Sequence, residues 1–313
     1  MELRRLGNSG LLVSAIGLGG NTFGATVDGA DAVRVIQGAI DAGITFLDTA
    51  DVYSQGRSEE LVGQAIAGRR DKIVLATKCG MAMGESPYTR GLSRRWIMQA
   101  VENSLRRLNT DYIDLYQAHR PDPETPTEET LRAMDDLVRQ GKVRYIGCSN
   151  FAAWQVAHDL GVSTRERLVP WISAQNRFNL LDGLSDPELL SASSALGVGI
   201  IPYTPLASGI LTGKYGQGEP PAGTRLGDLP AVRQRLTAEK QAAVERLRPW
   251  ADAHGHTTSE LAIAWLLAHP EVSTVIAGAR SLDQVRANIR AADWTLPRDE
   301  REAATAVARG MTA

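Results

Sequence analysis

The chain has 313 residues, 43% of them hydrophobic and 22% charged, a composition that supports a packed core and excludes disordered and collagen-like classes. Its 34 basic and 36 acidic residues leave a net charge of −2 without a block of like charges, so we expect neither a nucleic-acid nor a membrane-surface partner. The two cysteines are too few for a disulfide framework or a four-ligand zinc site, and they fit a reducing compartment.

The first residues predict a β-hairpin, in which Leu3–Leu6 and Leu11–Val13 flank a turn at Asn8–Gly10. This segment lacks the apolar core of a secretory signal. The longest uninterrupted apolar stretch, Ala262–Ala268, is much shorter than the ~20 residues that a membrane span needs. We therefore expect a cytoplasmic protein without a membrane partner.

Beyond the hairpin, short apolar or β-branched runs alternate with segments of helical periodicity, which indicates parallel strands connected by helices. The predicted strands are Ile16–Gly20, Thr45–Asp48, Ile73–Lys78, Ile113–His119, Val143–Ser149, Trp171–Gln175, Gly199–Tyr203 and Ser273–Ala277. About eight strand–helix units in this length favour an α/β fold, a single (β/α)8 TIM barrel over residues 1–313, with a doubly wound open sheet as the alternative.

Two segments interrupt this alternation. Gly213–Pro230 is rich in glycine and proline and predicts a long loop after the seventh strand. Two helices, Ala238–His254 and Thr258–Ala268, are predicted before the last strand, where a regular barrel has one. A final barrel helix is expected after Ser281, and the polar tail Arg298–Ala313 predicts a surface helix.

Four ionisable residues of different types follow consecutive predicted strands. The second strand ends at Asp48, with Tyr53 five residues later, and the third and fourth strands end at Lys78 and His119. Active sites of such barrels lie where strands end and loops begin. Taken singly, these residues read as a turn cap, a loop aromatic, a strand-end lysine and a packed histidine, but together they predict a site.

The four residue types suit the reduction of a carbonyl group, which needs a hydride on carbon and a proton on oxygen. Tyr53 can donate the proton if the ammonium of Lys78 lowers its pKa from ~10. A buried ammonium needs a carboxylate, which Asp48 can supply. His119 can bind the substrate oxygen by a hydrogen bond and orient it.

The sequence resembles the aldo-keto reductases over nearly its whole length. The stretches that carry the resemblance are residues 16–24 (IGLGGNTFG), 46–53 (FLDTADVY), 76–78, 111–123 (DYIDLYQAHRPDP), 141–151 (GKVRYIGCSNF) and 276–280 (IAGAR). The resemblance implies an oxidoreductase that reduces an aldehyde or ketone, including a sugar carbonyl, to an alcohol. It implies that Tyr53 is the acid and base, that Lys78 and Asp48 tune it, and that His119 orients the carbonyl.

The resemblance also implies an extended NADPH or NADP+ across the barrel mouth, with its nicotinamide ring on Tyr203. A Rossmann phosphate loop is not predicted, because Thr22 stands where the third glycine of that motif would be. Arg280 is expected to bind the 2′-phosphate of NADP(H). The residues expected at the cofactor are Gly20, Asn21, Thr22, Asp48, Ser149, Asn150, Gln175, Tyr203, Thr204, Pro205, Leu206, Ser208, Gly209, Lys214, Arg225, Gly278, Arg280, Gln284 and Asn288.

An apolar mouth for a small carbonyl substrate is expected at Phe23, Met81, Tyr88 and Pro121. No metal is expected, because the remaining histidines show no ligand spacing. Two alternatives come from other classes: an NADPH-binding regulatory subunit, as channel-associated members of the resembled family are, and a non-redox lyase or isomerase that uses Lys78. The individual substrate, the reaction direction, the stereochemistry and the oligomeric state do not follow from the sequence.

Overall fold

An antiparallel hairpin opens the chain in the computed structural model, which describes residues 1–215, 220–228 and 230–311. The hairpin consists of β1 (Leu3–Arg5) and β2 (Leu12–Ser14), so its prediction from the sequence is confirmed. Gly7, in the turn, has a φ of +56°, and a Cβ there would lie 2.5 Å from the carbonyl oxygen of Ile172. Only glycine fits this close approach without displacing the backbone of a neighbouring strand.

In the described residues, eight parallel strands form the main sheet, and a ninth short strand pairs antiparallel with one of them. In chain order the strands are β3 (Ile16–Gly19), β4 (Phe46–Asp48), β5 (Val74–Cys79), β6 (Ile113–Ala118), β7 (Val143–Ser149), β8 (Trp171–Asn179), β9 (Gly183–Leu184), β10 (Gly199–Tyr203) and β11 (Val275–Gly278). Their apolar, β-branched composition is typical of strands that are covered on both faces. The predicted α/β class is therefore confirmed.

Neighbouring strands follow chain order from β3 to β8, β10 lies beside β8, and β11 pairs with the other edge of β3. This order lacks the reversal that defines a doubly wound sheet. Ile200 in β10 donates its N–H to the carbonyl of Glu271 (2.8 Å) and accepts from the N–H of Ser273 (3.0 Å). These bonds connect β10 to the segment that precedes β11, so the two end strands of the order are neighbours.

The interior of the curled sheet is filled at the end where the hairpin lies. Leu6 and Val13 of the hairpin are fully buried in one cluster with Phe46, Ala76 and Leu115. Phe46 and Ala76 precede Asp48 and Lys78 by two positions, and residues two apart in a strand share a face. The hairpin therefore covers one end of the interior and leaves the polar residues at the other.

Helices surround the sheet. They are α1 (Gly29–Asp41), α2 (Arg57–Ile66), α3 (Arg94–Leu108), α4 (Thr127–Arg139), α5 (Ala153–Glu166), α6 (Glu188–Leu196), α7 (Arg225–Asp228), α8 (Pro230–Arg233), α9 (Ala238–Ala253), α10 (Thr258–Leu267), α11 (Leu282–Ala291) and α12 (Arg298–Ala308). In α3, Ile97, Val101 and Leu108 follow one another at helical spacing and are fully buried. At its start, the side chain of Ser93 accepts a hydrogen bond from the N–H of Trp96.

The segment after β10 differs from its prediction as a plain loop, because α7 lies within it and α8 begins at its end. Leu226 is fully buried, and its N–H faces the hydroxyl of Tyr215 at 3.4 Å. The carbonyl of Thr224 accepts a hydrogen bond from the N–H of Asp228 at 2.9 Å. Among the described residues, Leu226 anchors this turn, and a single apolar position does not create a periodicity that the sequence could show.

The two predicted helices before the last strand are confirmed as α9 and α10. Within the described residues, no helix is long and apolar enough to cross a membrane. Cys79 and Cys148 are both fully buried and unpaired, so each is a small residue of the core.

His269 follows α10 and packs its ring edge-on against Trp265, with 4.8 Å between ring centroids, and at 5.1 Å from Phe178. Its Nε2 is buried without a hydrogen-bond partner in the described structure. Burial, helped by the guanidinium of Arg301, lowers the pKa of His269 to about 4. The imidazole is therefore neutral in the folded protein at neutral pH.

This histidine is expected to make the protein less stable in mild acid. The unfolded chain binds a proton at His269 near pH 6.5 and the folded chain only near pH 4, so stability is lost as the pH falls between those values. We expect the wild type to lose about 2 kcal/mol more than His269→Phe between pH 7.5 and 5. Urea unfolding at both pH values measures this difference, and equal losses would contradict it.

Candidate active site

The ammonium of Lys78 is the centre of a buried polar group at the carboxyl end of the sheet. Its Nζ donates to Asp48 Oδ2 at 2.6 Å, to the carbonyl of Thr49 at 2.8 Å and to the hydroxyl of Tyr53 at 3.3 Å. The Lys78 side chain is fully buried and that of Asp48 is 3% exposed. Each of the three ammonium hydrogens thus has an acceptor, which compensates for the removal of this charge from water.

Two glutamines hold the second oxygen of Asp48. Gln175 donates to Oδ1 at 2.8 Å and Gln117 donates to it at 3.1 Å, and Gln175 also donates to Gln117 at 3.2 Å. Both glutamines are buried. Gln117 was not predicted from the sequence, although it lies two positions before His119 and pairs in register with Lys78.

Strand order explains why these residues meet. Asp48 is the last residue of β4, Lys78 the penultimate residue of β5, and His119 directly follows β6. These strands are parallel neighbours, so their carboxyl ends lie at one edge of the sheet. The structure therefore brings the four predicted catalytic side chains together.

Tyr53 begins a turn of unusual backbone geometry. Ser54, Gln55 and Gly56 after it have φ values of 48°, 56° and 93°, so three consecutive residues are left-handed. Such conformations are costly for residues with a Cβ, and here the side chain of Ser54 donates to the carbonyl of Phe23 at 3.2 Å. The turn ends at α2, which fixes the phenol beside Lys78.

His119 packs edge-on against Tyr53, with 5.8 Å between ring centroids and an interplanar angle of 79°. Burial, together with the positive charges of Lys78 and Arg120, lowers the pKa of His119 to about 3. Its Nδ1 is buried without a hydrogen-bond partner in the described structure. A neutral imidazole beside the phenol can serve as a hydrogen-bond partner for a substrate oxygen.

Two effects on the pKa of Tyr53 oppose each other. Burial raises it, and the neighbouring ammonium of Lys78 lowers it, but the net pKa lies above 10. The expected lowering by Lys78 is therefore present but is outweighed by burial. The pKa of Lys78 is also raised: burial alone would lower it, but Asp48 and Tyr53 more than compensate. The lysine is charged and the phenol carries its proton at neutral pH.

Ser149, Asn150, Gln175 and Tyr203 lie together beside this group. Ser149 donates to the carbonyl of Gln175 at 2.8 Å, and Tyr203 donates to Asn150 Oδ1 at 2.7 Å. Asn150 has a φ of 63° and donates to the carbonyl of His119 at 3.0 Å. The amide and hydroxyl groups that the resemblance assigns to a nicotinamide are therefore linked to the catalytic edge.

A cavity of about 350 Å³ extends from the segment after Tyr203 to the start of α11. Eleven residues expected at the cofactor line it: Thr22, Thr204, Pro205, Leu206, Ser208, Gly209, Lys214, Gly278, Arg280, Gln284 and Asn288. The hydroxyl of Thr204 is buried without a partner in the described structure. A cavity with two cations, a helix N-terminus and an unpaired hydroxyl fits a phosphate-bearing ligand.

Arg280 lies at the far wall of this cavity. Its guanidinium donates to the carbonyl of Gly223 at 3.1 Å, and its N–H donates to Gln284 Oε1 at 2.7 Å. Ser281 caps α11 by accepting the N–H of Gln284. Arg280 therefore connects the loop after β10 with the N-terminus of α11.

Three predicted cofactor residues belong neither to this cavity lining nor to the polar groups around Asp48 and Tyr203. Gly20 is buried against Ser58, and a Cβ would lie 2.9 Å from the hydroxyl oxygen of Ser58, so tight packing explains this glycine. Asn21 is exposed. Arg225 begins α7, and its side chain lies outside the described part of the structure.

The four residues expected at the substrate mouth are not brought together. Phe23 is 1% exposed and belongs to the hydrophobic core. Tyr88 is 62% exposed, with the guanidinium of Arg95 at 4.3 Å from its ring centroid. Pro121 lines a separate groove between the starts of α4 and α5. Met81 is half-buried in the loop after β5.

A buried lysine–aspartate pair with a half-buried tyrosine and histidine, at the strand ends of a parallel α/β sheet, is typical of a nicotinamide-dependent carbonyl oxidoreductase. The model of the Aldo/keto reductase family matches residues 15–309, and the chain belongs to this family. Membership supports an oxidoreductase that uses a nicotinamide cofactor.

Similar proteins carry two kinds of name. A protein of Oryza sativa subsp. japonica named "Probable voltage-gated potassium channel subunit beta" is 39% identical over 301 residues, which cover 94% of this chain and 92% of that protein. A protein of Arabidopsis thaliana with the same name has the same identity and coverage. "Uncharacterized oxidoreductase YrpG" of Bacillus subtilis (strain 168) is 36% identical over 310 residues, 96% of this chain and 93% of that protein.

Proposed function

We propose that this protein is an NADPH-dependent reductase of aldehydes or ketones, including sugar carbonyls, with Tyr53 as the proton donor. The observation that carries the proposal is the buried contact of Lys78 with both Asp48 and the hydroxyl of Tyr53. The bound nicotinamide would supply the hydride. The chain's own residues protonate the oxygen and hold it in place.

The roles of the four residues follow from their environments. Tyr53 is a protonated phenol, and the ammonium next to it stabilises the phenolate that forms as the proton leaves. Asp48 keeps Lys78 charged, and the two glutamines keep Asp48 in place. A neutral His119 orients the oxygen without competing as a proton donor, because its pKa is about 3.

The sheet supports a closed (β/α)8 barrel, which we infer for the whole chain as one domain. The bonds from Ile200 to Glu271 and Ser273 join the two ends of the strand order. Closure would place the loops after all eight strands around one rim. Ser149, Asn150, Gln175 and Tyr203 would hold the nicotinamide there, and the lining of the 350 Å³ cavity would hold the remainder of the cofactor.

The test is the oxidation of NADPH, followed at 340 nm, with a panel of aliphatic, aromatic and sugar aldehydes and ketones. Carbonyl-dependent turnover that is lost in Tyr53→Phe is the expected result. Absence of turnover with every carbonyl, in a protein that binds NADPH, would reject the reductase.

A second candidate is a cofactor-binding regulatory subunit, which the names of the plant relatives favour. It predicts NADPH that stays bound through gel filtration and turnover far below one per second. The lyase alternative is less compatible with the site, because a charged Lys78 with three hydrogen bonds is a poor nucleophile.

Arg280 is expected to distinguish NADPH from NADH. A charge-assisted contact with the 2′-phosphate contributes about 1.5–3 kcal/mol to binding. Arg280→Ala should therefore lower the affinity for NADPH about 10–150-fold and leave the affinity for NADH nearly unchanged. Fluorescence titration of both cofactors measures this. Arg286→Ala, on the exposed side of α11, is the control. An equal loss for both cofactors would show that Arg280 does not bind the phosphate.

A further inference from the structure

Asp51, in the loop between Asp48 and Tyr53, carries a second buried carboxyl group. It is 1% exposed, and neither carboxyl oxygen makes a hydrogen bond in the described structure. Its backbone N–H donates to the carbonyl of Lys78 at 3.1 Å, which ties the loop to β5. A buried carboxylate without a hydrogen-bond partner costs several kilocalories per mole of folding free energy, so Asp51 is expected to be uncharged or to have a specific role.

The charged groups near Asp51 are already paired with others. Glu59, in α2, is fully buried, accepts the hydroxyl of Thr77 at 2.6 Å and binds Arg107 Nε at 2.6 Å. Lys78 has three acceptors of its own. Among the described residues, Arg107 is the arginine whose charge acts on Asp51, and Glu59 binds it.

The other groups that face Asp51 are uncharged. The thiol of Cys79 in β5 and the phenol of Tyr116 in β6 are both fully buried, and burial raises their pKa values. The N–H of Val52 faces the carboxyl from its own loop. Burial and the charge of Glu59 raise the pKa of Asp51 to about 8, so the carboxyl holds a proton at pH 7.

Arg107 connects this carboxyl pair with the turn after Tyr53. Gly56 ends that turn with a φ of +93°, and a Cβ at Gly56 would lie only 2.6 Å from Arg107 Cδ. The side chain of Arg107 thus packs against the turn while its Nε binds Glu59. An ionised Asp51 would attract Arg107 as Glu59 does, and a movement of Arg107 would change the support of the turn.

We propose that Asp51 is a positioning residue for Tyr53, which acts in its uncharged form and loosens the Tyr53 turn when it ionises. The role rests on the proposed function, because it concerns the placement of the proton donor. As a result, kcat of the reductase falls at alkaline pH because of a residue outside the four catalytic side chains. The fall is reversible, because it depends on one proton.

The first test is the pH profile of kcat for Asp51→Asn against the wild type, with NADPH and carbonyl substrate at saturation. Asparagine keeps the shape of the protonated carboxyl and cannot ionise. Between pH 6.5 and 9, kcat of the wild type should fall about tenfold, as a group with a pKa of about 8 implies. Over the same pH range, kcat of Asp51→Asn should change by no more than about twofold. An identical fall in both proteins would overturn the proposal.

The second test needs no turnover, so it separates this inference from the reductase itself. The infrared difference spectrum between pH 6 and pH 9 should contain a protonated carboxylic acid band that Asp51→Asn lacks. Asp122→Asn is the matched control, because hydrogen bonds to the backbone of Leu92 and the hydroxyl of Thr125 lower the pKa of Asp122. Its spectrum should keep the band. A wild type without the band would also overturn the proposal.

Thermal unfolding gives a third, independent readout. The unfolded chain ionises Asp51 near pH 4 and the folded chain near pH 8, so the wild type loses stability relative to Asp51→Asn as the pH rises between those values. The midpoint of the variant should exceed that of the wild type by more at pH 9 than at pH 5. A constant difference would contradict a proton on Asp51.

Discussion

Replacement of Tyr53 by phenylalanine is expected to slow carbonyl reduction by about 10²–10⁴-fold, the loss typical of a missing general acid. The ring keeps its edge-on contact with His119, and only the hydroxyl that accepts a hydrogen bond from Lys78 is removed. Since the hydroxyl is the only group lost, NADPH affinity should change little. Steady-state kinetics and fluorescence titration measure the two quantities.

The matched control for this variant is Tyr112→Phe. Tyr112 directly precedes β6 and stacks on the guanidinium of Arg70, whose central carbon lies 3.8 Å from the ring centroid. It is a tyrosine at the opposite end of the same sheet. A kcat of Tyr53→Phe close to that of the control would remove Tyr53 from the mechanism.

Replacement of Lys78 by methionine is expected to abolish reduction and to destabilise the fold. Methionine keeps the apolar stem but leaves Asp48 as a buried carboxylate without its cation, and the loss of one partner of a buried pair costs about 3–5 kcal/mol. Activity and urea unfolding measure the two effects separately. Retention of the wild-type rate and pH profile would show that Lys78 does not tune Tyr53.

A double variant separates the chemical from the structural effect. Lys78→Met combined with Asp48→Asn removes both charges, so a large part of the lost stability should return. Reduction should remain absent, because the ammonium beside Tyr53 is still missing. If the double variant regained activity, the loss in Lys78→Met would have come from misfolding alone.

Periodicity predicted β3 to β7 and β10 to within one residue at each end, whereas β11 begins two residues later than predicted. The bounds of β7 (Val143–Ser149) and β10 (Gly199–Tyr203) agree with their predictions. β8 extends to Asn179, four residues beyond the predicted end, because Phe178 pairs with Leu184 of β9. That extension depends on a partner later in the chain, which a local pattern cannot contain.

The predicted strand ends indicated where the catalytic side chains lie, but they did not indicate which residues bind those side chains. Gln117 and Gln175 bind Asp48 through tertiary contacts that no spacing indicates. Glu59 and Arg107 lie on helices, where charged residues are ordinarily solvated, and their pairing behind β5 is visible only in the structure. The predicted substrate mouth was the weakest part, since Phe23 packs into the core.

The two cysteines allow local opening at the catalytic end of the sheet to be measured by the rate of thiol alkylation. Cys79 and Cys148 directly neighbour Lys78 and Ser149 in the sequence, both are fully buried, and burial raises the pKa of each thiol. Alkylating reagents attack the exposed thiolate, so the native protein should resist them. The rate at which each sulfur is modified therefore reports how often its strand end opens to water, residue by residue, in a protein that needs no added label.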